Sequence, residues 1–129
     1  MSRSPEEERN LGLVLDMFEQ VLVPLDSSQV DRFISPDYLQ HSQLAPPGRD
    51  ALKAFLDEIK PQSPDATQEL KRAFVDGDHV VLHYLVRRWI GDPGMVVVDI
   101  FRVADGMIVE HWDVLQDVQP EGLNPNPPC

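Results

Sequence analysis

Two aspartates and one histidine lie close together near the end of this sequence, at a spacing that suits acid–base chemistry. Asp99 precedes a tight Asp-Gly turn, and His111 and Asp113 follow it. Burial raises the pKa of a carboxyl group, a second carboxylate raises it further, and a neighbouring histidinium lowers it. A group whose pKa is brought near 7 in this way can both accept and donate a proton. These residues therefore predict general acid–base catalysis.

The Asp-Gly turn decides which side chains share one face of the hairpin that it closes. A three-residue loop over 104–106, with a left-handed glycine, places Asp99 opposite His111. A two-residue loop would shift the register by one residue and place Asp99 opposite Trp112 instead. We expect the first register, because an Asp-Gly pair closes a three-residue loop well. The shared face then holds Asp99, His111, Asp113, Val97, Phe101 and Val109.

Two further regions supply candidate site residues. His41 lies in a loop near Tyr38, from where it could reach into a cavity as a proton donor. Tyr84 follows His83 on a long strand, and neighbours on a strand point to opposite sides, so only one of these two can face a cavity. The expected lining of the cavity is Tyr38, Tyr84, Val97, Phe101 and Val109.

A purely structural role for the polar residues stays open beside the catalytic one. The alternation of side chains does not say which face of the sheet is covered. Asp99 and His111 could therefore form a structural hydrogen bond on an exposed face, with no role in chemistry.

Motifs for several other kinds of chemistry are absent from the sequence. It has no Gly-rich phosphate loop, no GxSxG elbow, no CxxC pair and no HExxH zinc motif. Cys129 is its one cysteine, which allows neither an intrachain disulfide nor a thiolate metal cluster. We therefore expect neither a cofactor nor a bound metal.

The charge balance argues against two classes of partner. Acidic residues outnumber basic ones 22 to 11 among 129 residues, which gives a net charge of −11. Phosphate backbones and anionic lipid surfaces repel such a protein, so we expect no nucleic acid and no membrane as partners. The opening segment lacks the apolar core of a signal peptide, and no apolar run is long enough to span a bilayer, so a cytoplasmic protein is predicted.

The elements that must position the polar residues follow a segregated order. Apolar spacing predicts a long helix over 5–23, a short helix around 28–34 and a third over 49–60, with 36–48 irregular. The predicted strands are 70–75, 79–90, 95–103 and 107–118. This order implies an α+β fold: a curved antiparallel sheet covered by three N-terminal helices, with a pocket between the two layers. Residues 1–119 then form a single domain and 120–129 a loose, Pro-rich tail.

The stretch 99–116 resembles the closing signature of SnoaL-like proteins, the polyketide-cyclase-like branch of the nuclear transport factor 2-like superfamily. Segments 38–41, 48–52 and 76–80 also look like that family's elements. The resemblance implies a cone-shaped sheet around a deep pocket. In the family's aldol-type cyclases a strand aspartate acts as general acid/base beside a second polar strand residue, and Asp113 and Asp99 fall at those positions. Those cyclases carry a histidine where this chain has Asp99, which changes the local charge.

Two functions of different class follow from these residues and the resemblance. The first is a cofactor-independent acid/base enzyme acting on a small carbonyl compound, by aldol condensation and cyclisation, isomerisation or dehydration. Asp113 would be its base, Asp99 or His111 the tuning partner and His41 the donor. The alternative is a non-catalytic module that binds an apolar small molecule in the same pocket. A homodimer is expected from the superfamily and from the apolar runs 80–86 and 95–101, which suggest burial on both sheet faces.

Overall fold

An N-terminal layer of helices precedes the sheet in the structure, which is a computed structural model that describes residues 2–129. Helix α1 (Pro5–Met17) begins at a complete capping box: Ser4 Oγ accepts from the Glu7 amide, and Glu7 Oε1 accepts from the Ser4 amide. Its last turn continues as a π-helical turn, Phe18–Leu22. A 3₁₀ helix (Ser27–Arg32) and helix α2 (Arg49–Gln62) complete the layer. None of the helices described is long and apolar enough to cross a membrane.

Five strands form one curved sheet that does not close into a barrel. Their order across the sheet is β1-β5-β4-β3-β2, and β2 to β5 form the antiparallel meander that the sequence predicts. The α+β fold is confirmed. The strands are β1 (Ile34–Gln40), β2 (Thr67–Asp76), β3 (His79–Arg87), β4 (Met95–Ala104) and β5 (Met107–Asp117).

Strand β1 corrects the prediction that the chain is irregular from residue 36 onwards. It runs parallel to β5 along one edge of the sheet and is interrupted by a register shift between Ile34 and Leu39. Pro36 lies within it and has no N–H to donate. An edge strand tolerates this loss because one of its sides needs no ladder partner.

The hairpin between β4 and β5 corrects the expected register. The loop has two residues, since Ala104 pairs with Met107, and both Asp105 and Gly106 have positive φ, as a type I′ turn requires. A bulge at Val109 of β5, between the pairs Val103–Ile108 and Arg102–Glu110, then shifts the pairing again. The expected pairs are therefore wrong by two residues, yet the two shifts together keep the polar residues on one face. Asp99 lies opposite Asp113, and Phe101 lies opposite His111.

The helices pack on the concave face of the sheet and leave a cavity at one end. Buried side chains from α1, the π-helical turn and the sheet form one core cluster, which includes Val14, Phe18, Leu82 and Ile108. Residues 118–129 form turns but no helix or strand. That the tail 120–129 is loose stays a prediction.

Candidate active site

A cavity of about 590 Å³ lies between the sheet and helix α2. This volume is in the range of small-molecule binding sites. Apolar side chains form most of its wall, among them Leu52, Leu56, Ile59, Met95 and Leu115. One group of polar side chains lies together on the strands β1, β3, β4 and β5, and its members are Tyr38, Gln40, Tyr84, Asp99, His111 and Asp113. Other polar residues line the cavity elsewhere, and they are Ser42, Gln62, Ser63, Gln68 and Arg88.

Asp99 and His111 form a buried pair in the wall of this cavity. Asp99 Oδ1 lies 2.7 Å from His111 Nε2, and Tyr84 Oη donates to Asp99 Oδ2 at 2.7 Å. The Asp99 residue is only 3% exposed. The His111 ring also packs on Phe101, with ring centroids 4.8 Å apart. Both oxygens of the Asp99 carboxylate are thus occupied by protein groups.

Asp113 differs from Asp99 in having no partner among the residues described. It lies opposite Asp99 on the neighbouring strand and lines the cavity, but it forms no hydrogen bond or ion pair with residues 2–129. Every fully buried side-chain nitrogen or oxygen in the described chain has a hydrogen-bond partner. The unpartnered carboxylate oxygens of Asp113 are therefore accessible from the cavity, where they can accept a proton.

Tyr38 supplies a hydroxyl group with its proton free. Gln40 Nε2 donates to Tyr38 Oη at 3.0 Å, which uses an acceptor site of the hydroxyl and leaves its own O–H without an acceptor in the described chain. Burial, followed by the charges of Asp99 and Asp113, raises the pKa of Tyr38 well above its usual value. The phenol therefore stays protonated at neutral pH. It can donate a hydrogen bond to a ligand.

Tyr84 stays protonated for similar reasons, but its proton is already used. Burial raises the pKa of Tyr84 most, and the Asp99 charge raises it further. Since its hydroxyl donates to Asp99, Tyr84 supports the carboxylate and does not face a ligand with a free proton.

The structure brings together seven of the nine residues predicted for the site. Asp99, His111, Asp113, Tyr38, Tyr84, Val97 and Phe101 all line the cavity. Val109 does not, since it is the extra residue of the β5 bulge, between Ile108 and Glu110, whose partners on β4 are adjacent.

His41 lies on the other side of the sheet from the cavity, so the prediction that it reaches in as the donor is wrong. Its Nε2 is 2.6 Å from Glu110 Oε2, and its ring stacks on Trp112 at a centroid distance of 4.9 Å. Arg102 first, and then His41, lowers the pKa of Glu110. Gln40 faces the cavity from β1, and the next residue along an extended chain faces away from it.

Gln40 is the site residue that sequence reasoning missed. It pairs with His111 in the parallel β1–β5 ladder, and its Oε1 lies 2.7 Å from His111 Nδ1. The signal was available in the spacing, because Tyr38 and Gln40 have the same parity on a strand. Taking this segment as an irregular loop concealed it.

Three residues of the site have the donor types that divalent transition metals accept. One ligand atom each from Asp99, His111 and Asp113 lies within 4.8 Å of the other two. Asp99 Oδ1 and His111 Nε2, however, are each other's hydrogen-bond partners. A metal ion held by both would have to displace the proton between them.

A model of the SnoaL-like domain family matches residues 14–111, well over half of the 129 residues of the chain. The chain therefore belongs to the SnoaL-like family, within the nuclear transport factor 2-like superfamily, and the resemblance seen in its sequence is confirmed. Comparison with curated protein sequences gives no match.

Solved structures of several proteins share the fold. A protein from Jannaschia sp. CCS1, assigned as a SnoaL-like polyketide cyclase, superposes with a TM-score of 0.74 at 20% identity, over 89% of this chain and 90% of that one. A protein from Kribbella flavida, assigned as a ketosteroid isomerase, gives 0.73 at 21% identity, over 95% and 85%. AclR from Streptomyces galilaeus, assigned as a hydroxylase, gives 0.71 at 23% identity, over 86% and 81%. At these identities the likeness shows the fold alone.

Proposed function

We propose that this protein is a cofactor-independent enzyme that removes a proton next to the carbonyl group of an apolar small molecule. The observation that carries the proposal is the free carboxylate of Asp113 in a largely apolar cavity that also holds the free hydroxyl of Tyr38. Such a reaction needs a base close to the carbon and a donor for the oxygen that becomes negative. The Asp113 carboxylate can be the base and the Tyr38 hydroxyl the donor, because neither is used in this way by another described residue.

The proposed step moves one proton. An Asp113 carboxylate oxygen takes the proton from the carbon, and the electrons of the broken C–H bond form the enolate, whose oxygen accepts a hydrogen bond from Tyr38. The enolate then has three outcomes. In isomerisation Asp113 returns the proton to another carbon, and in aldol cyclisation the enolate carbon attacks a second carbonyl whose oxygen takes that proton. In dehydration the proton goes to a hydroxyl group on the next carbon, which leaves as water.

The walls of the cavity favour a neutral substrate with an apolar body. Most of the lining is aliphatic or aromatic, and Asp113 adds a negative charge at the polar groups. An anionic substrate would meet that charge in surroundings of low dielectric, where repulsion is strong. The family model and the solved relatives assigned as a polyketide cyclase and a ketosteroid isomerase fit a carbonyl substrate.

A non-catalytic binding module is the second candidate, and the large apolar lining favours it. A module that only binds such a ligand has no need of a free base and a free donor. The cavity is also open where a relict site would be filled, since Trp112 stacks with His41 and His79, away from the cavity lining. These features support the enzyme.

The test is exchange of carbon-bound hydrogen in a panel of apolar ketones incubated in D₂O, followed by mass spectrometry. The assay needs no knowledge of the final product, because it reports proton removal alone. EDTA is included in a parallel series, and we expect it to leave the rate unchanged. Wild type is compared with Asp113→Asn and with the matched control Asp37→Asn, an exposed acid outside the cavity lining.

We expect exchange with wild type and Asp37→Asn, and a fall of at least about 100-fold in Asp113→Asn, which is the low end of a general-base contribution. Equal rates in wild type and Asp113→Asn would show that Asp113 is not the base. Tight ketone binding without exchange in any variant would favour the binding module.

A further inference from the structure

Gln40, on the edge strand β1, contacts two other site residues without an evident part in the chemistry. Its side chain lies in the cavity wall against His111 and Tyr38. We propose that Gln40 is a positioning residue: it keeps a proton on Nδ1 of His111, so that the other ring nitrogen shares a single proton with Asp99. Only the consequence for catalysis rests on the proposed function, since the proton on Nδ1 follows from the contacts of the site itself.

The orientation of the Gln40 amide decides which of its atoms faces His111. The oxygen and nitrogen of an amide have similar shapes, so the hydrogen bonds around them must assign them. The main-chain N–H of Ser42 can only donate, and its nitrogen lies 3.0 Å from Gln40 Oε1. Exchanging the two atoms of the amide would set one N–H group against another at Ser42. Oε1 is therefore the atom next to His111.

His111 consequently has a hydrogen-bond acceptor on each side. Gln40 Oε1 lies 2.7 Å from Nδ1, and Asp99 Oδ1 lies 2.7 Å from Nε2. An amide oxygen carries no proton, so the contact at Nδ1 is a hydrogen bond only while Nδ1 is protonated. One proton is enough at Nε2, and it can belong to the imidazole or to the carboxyl group. In both cases Asp99 and His111 together have no net charge.

Few other ionisable groups face this pair. The phenols of Tyr38 and Tyr84 stay protonated, and the Arg88 guanidinium in the cavity lining is bound by the carboxylates of Asp92 and Asp117. Asp113 is then the one group of the set whose side chain has no partner among the described residues. These groups are Tyr38, Tyr84, Arg88 and Asp113.

Without Gln40, the pair can lose the proton on Nδ1 to solvent. His111 can become neutral with its proton on Nε2, which leaves Asp99 as an uncompensated anion opposite Asp113. A second negative charge nearby makes a carboxylate hold a proton more tightly. Gln40 therefore helps to keep Asp113 an unprotonated base.

The test is ¹⁵N NMR of the His111 ring in the full-length protein without ligand, over a series of pH values. Long-range proton–nitrogen spectra distinguish a protonated ring nitrogen from a bare one. The variants are Gln40→Leu, which removes the acceptor, and Gln40→Glu, which keeps an acceptor oxygen. Gln43→Leu is the matched control, because Gln43 is an exposed glutamine near Gln40 that does not line the cavity.

We expect a protonated Nδ1 in wild type, Gln43→Leu and Gln40→Glu at every pH at which they stay folded. In Gln40→Leu, Nδ1 should lose its proton as the pH rises. A bare Nδ1 in wild type overturns the proposal, and so does a Gln40→Leu variant whose Nδ1 stays protonated throughout. The wild-type spectrum decides alone if the Leu variant does not fold.

A second readout concerns catalysis. In the ketone exchange assay, the acid limb of the pH–rate profile should move to higher pH in Gln40→Leu and stay in place in Gln43→Leu. If the acid limb of Gln40→Leu stays at the wild-type pH, Gln40 has no effect on the protonation of Asp113. Absence of exchange from wild type contradicts the proposed function and leaves the Nδ1 assignment to the NMR result.

Discussion

Asp113 and Tyr38 have hydrogen-bonding capacity to spare because their neighbours are bound to one another. Asp99 takes the Tyr84 hydroxyl and the His111 ring, so its carboxylate has no free oxygen. That Asp99, His111 and Asp113 share a face could be predicted from the alternation on two strands. Which of the two carboxylates is free could not, because it depends on Tyr84, which reaches the site from another strand.

Loss of the Tyr38 hydroxyl should slow proton removal and leave the fold intact. Removing one donor from an enolate or oxyanion site lowers the rate by about 100-fold to 1000-fold. We expect the rate of ketone exchange to fall by a factor in this range in Tyr38→Phe. Binding of an apolar ligand without a carbonyl group should hardly change, which separates a role in chemistry from a role in packing. Ketone exchange at the wild-type rate in Tyr38→Phe would assign the donor to another group.

At the scale of elements, the strands that could be predicted well are those rich in β-branched and other apolar residues, with a turn signal next to them. The Asp-Gly turn and the strands around it could be placed from the sequence. The β5 bulge could not, because it is set by how β4 and β5 pair beyond the turn. The edge strand β1 could not be predicted because Pro36 interrupts its alternating pattern. Without this strand, the side of the sheet on which His41 lies could not be predicted either.

The loop between β3 and β4, which lines the cavity with Arg88 and Trp89, is held by a buried carboxylate. Asp92 is 3% exposed and accepts hydrogen bonds from the Arg88 side chain, the Arg88 amide and the Gly94 amide. Gly94 has φ +113°, and a Cβ there would lie 2.7 Å from Leu85 Cδ1. Arg88 also lies over the Trp89 ring, 4.8 Å from its centroid.

Asp92→Asn should destabilise the protein in a pH-dependent way. The Arg88 guanidinium holds the pKa of Asp92 well below its usual range, whereas in the unfolded chain it is about 3.9. The folded state therefore gains stability from the charged carboxylate above about pH 4, and this gain is lost as the pH falls through the lowered pKa.

Urea denaturation between pH 7 and the most acidic pH at which wild type stays folded measures this effect. We expect a lower midpoint for Asp92→Asn at pH 7 and a difference from wild type that shrinks below about pH 4. Asp65→Asn, at an exposed acid, should match wild type throughout. A difference that does not change with pH would mean that Asp92 acts through shape and not through charge.

At the scale of the whole molecule, the convex face of the sheet carries apolar side chains that residues 2–129 leave exposed. Phe74 is 57% exposed and Val114 is 66% exposed. Patches of this kind often mark contacts with another protein. A homodimer through this face stays our prediction.

Light scattering at micromolar concentration should give about twice the chain mass of 14.6 kDa. Replacing Val114 by a charged residue, Val114→Glu, should shift the mass towards a single chain without changing the circular dichroism. A mass near that of one chain for wild type would contradict the dimer.

The most direct test of the proposed site is a crystal structure with a phenol large enough to fill the cavity, since a phenol resembles an enolate in shape and in its oxygen. We expect the phenol oxygen at about 3 Å from Tyr38 Oη, with a ring carbon next to a carboxylate oxygen of Asp113. A phenol bound with its oxygen towards the apolar wall, or outside the cavity, would contradict the roles of Asp113 and Tyr38.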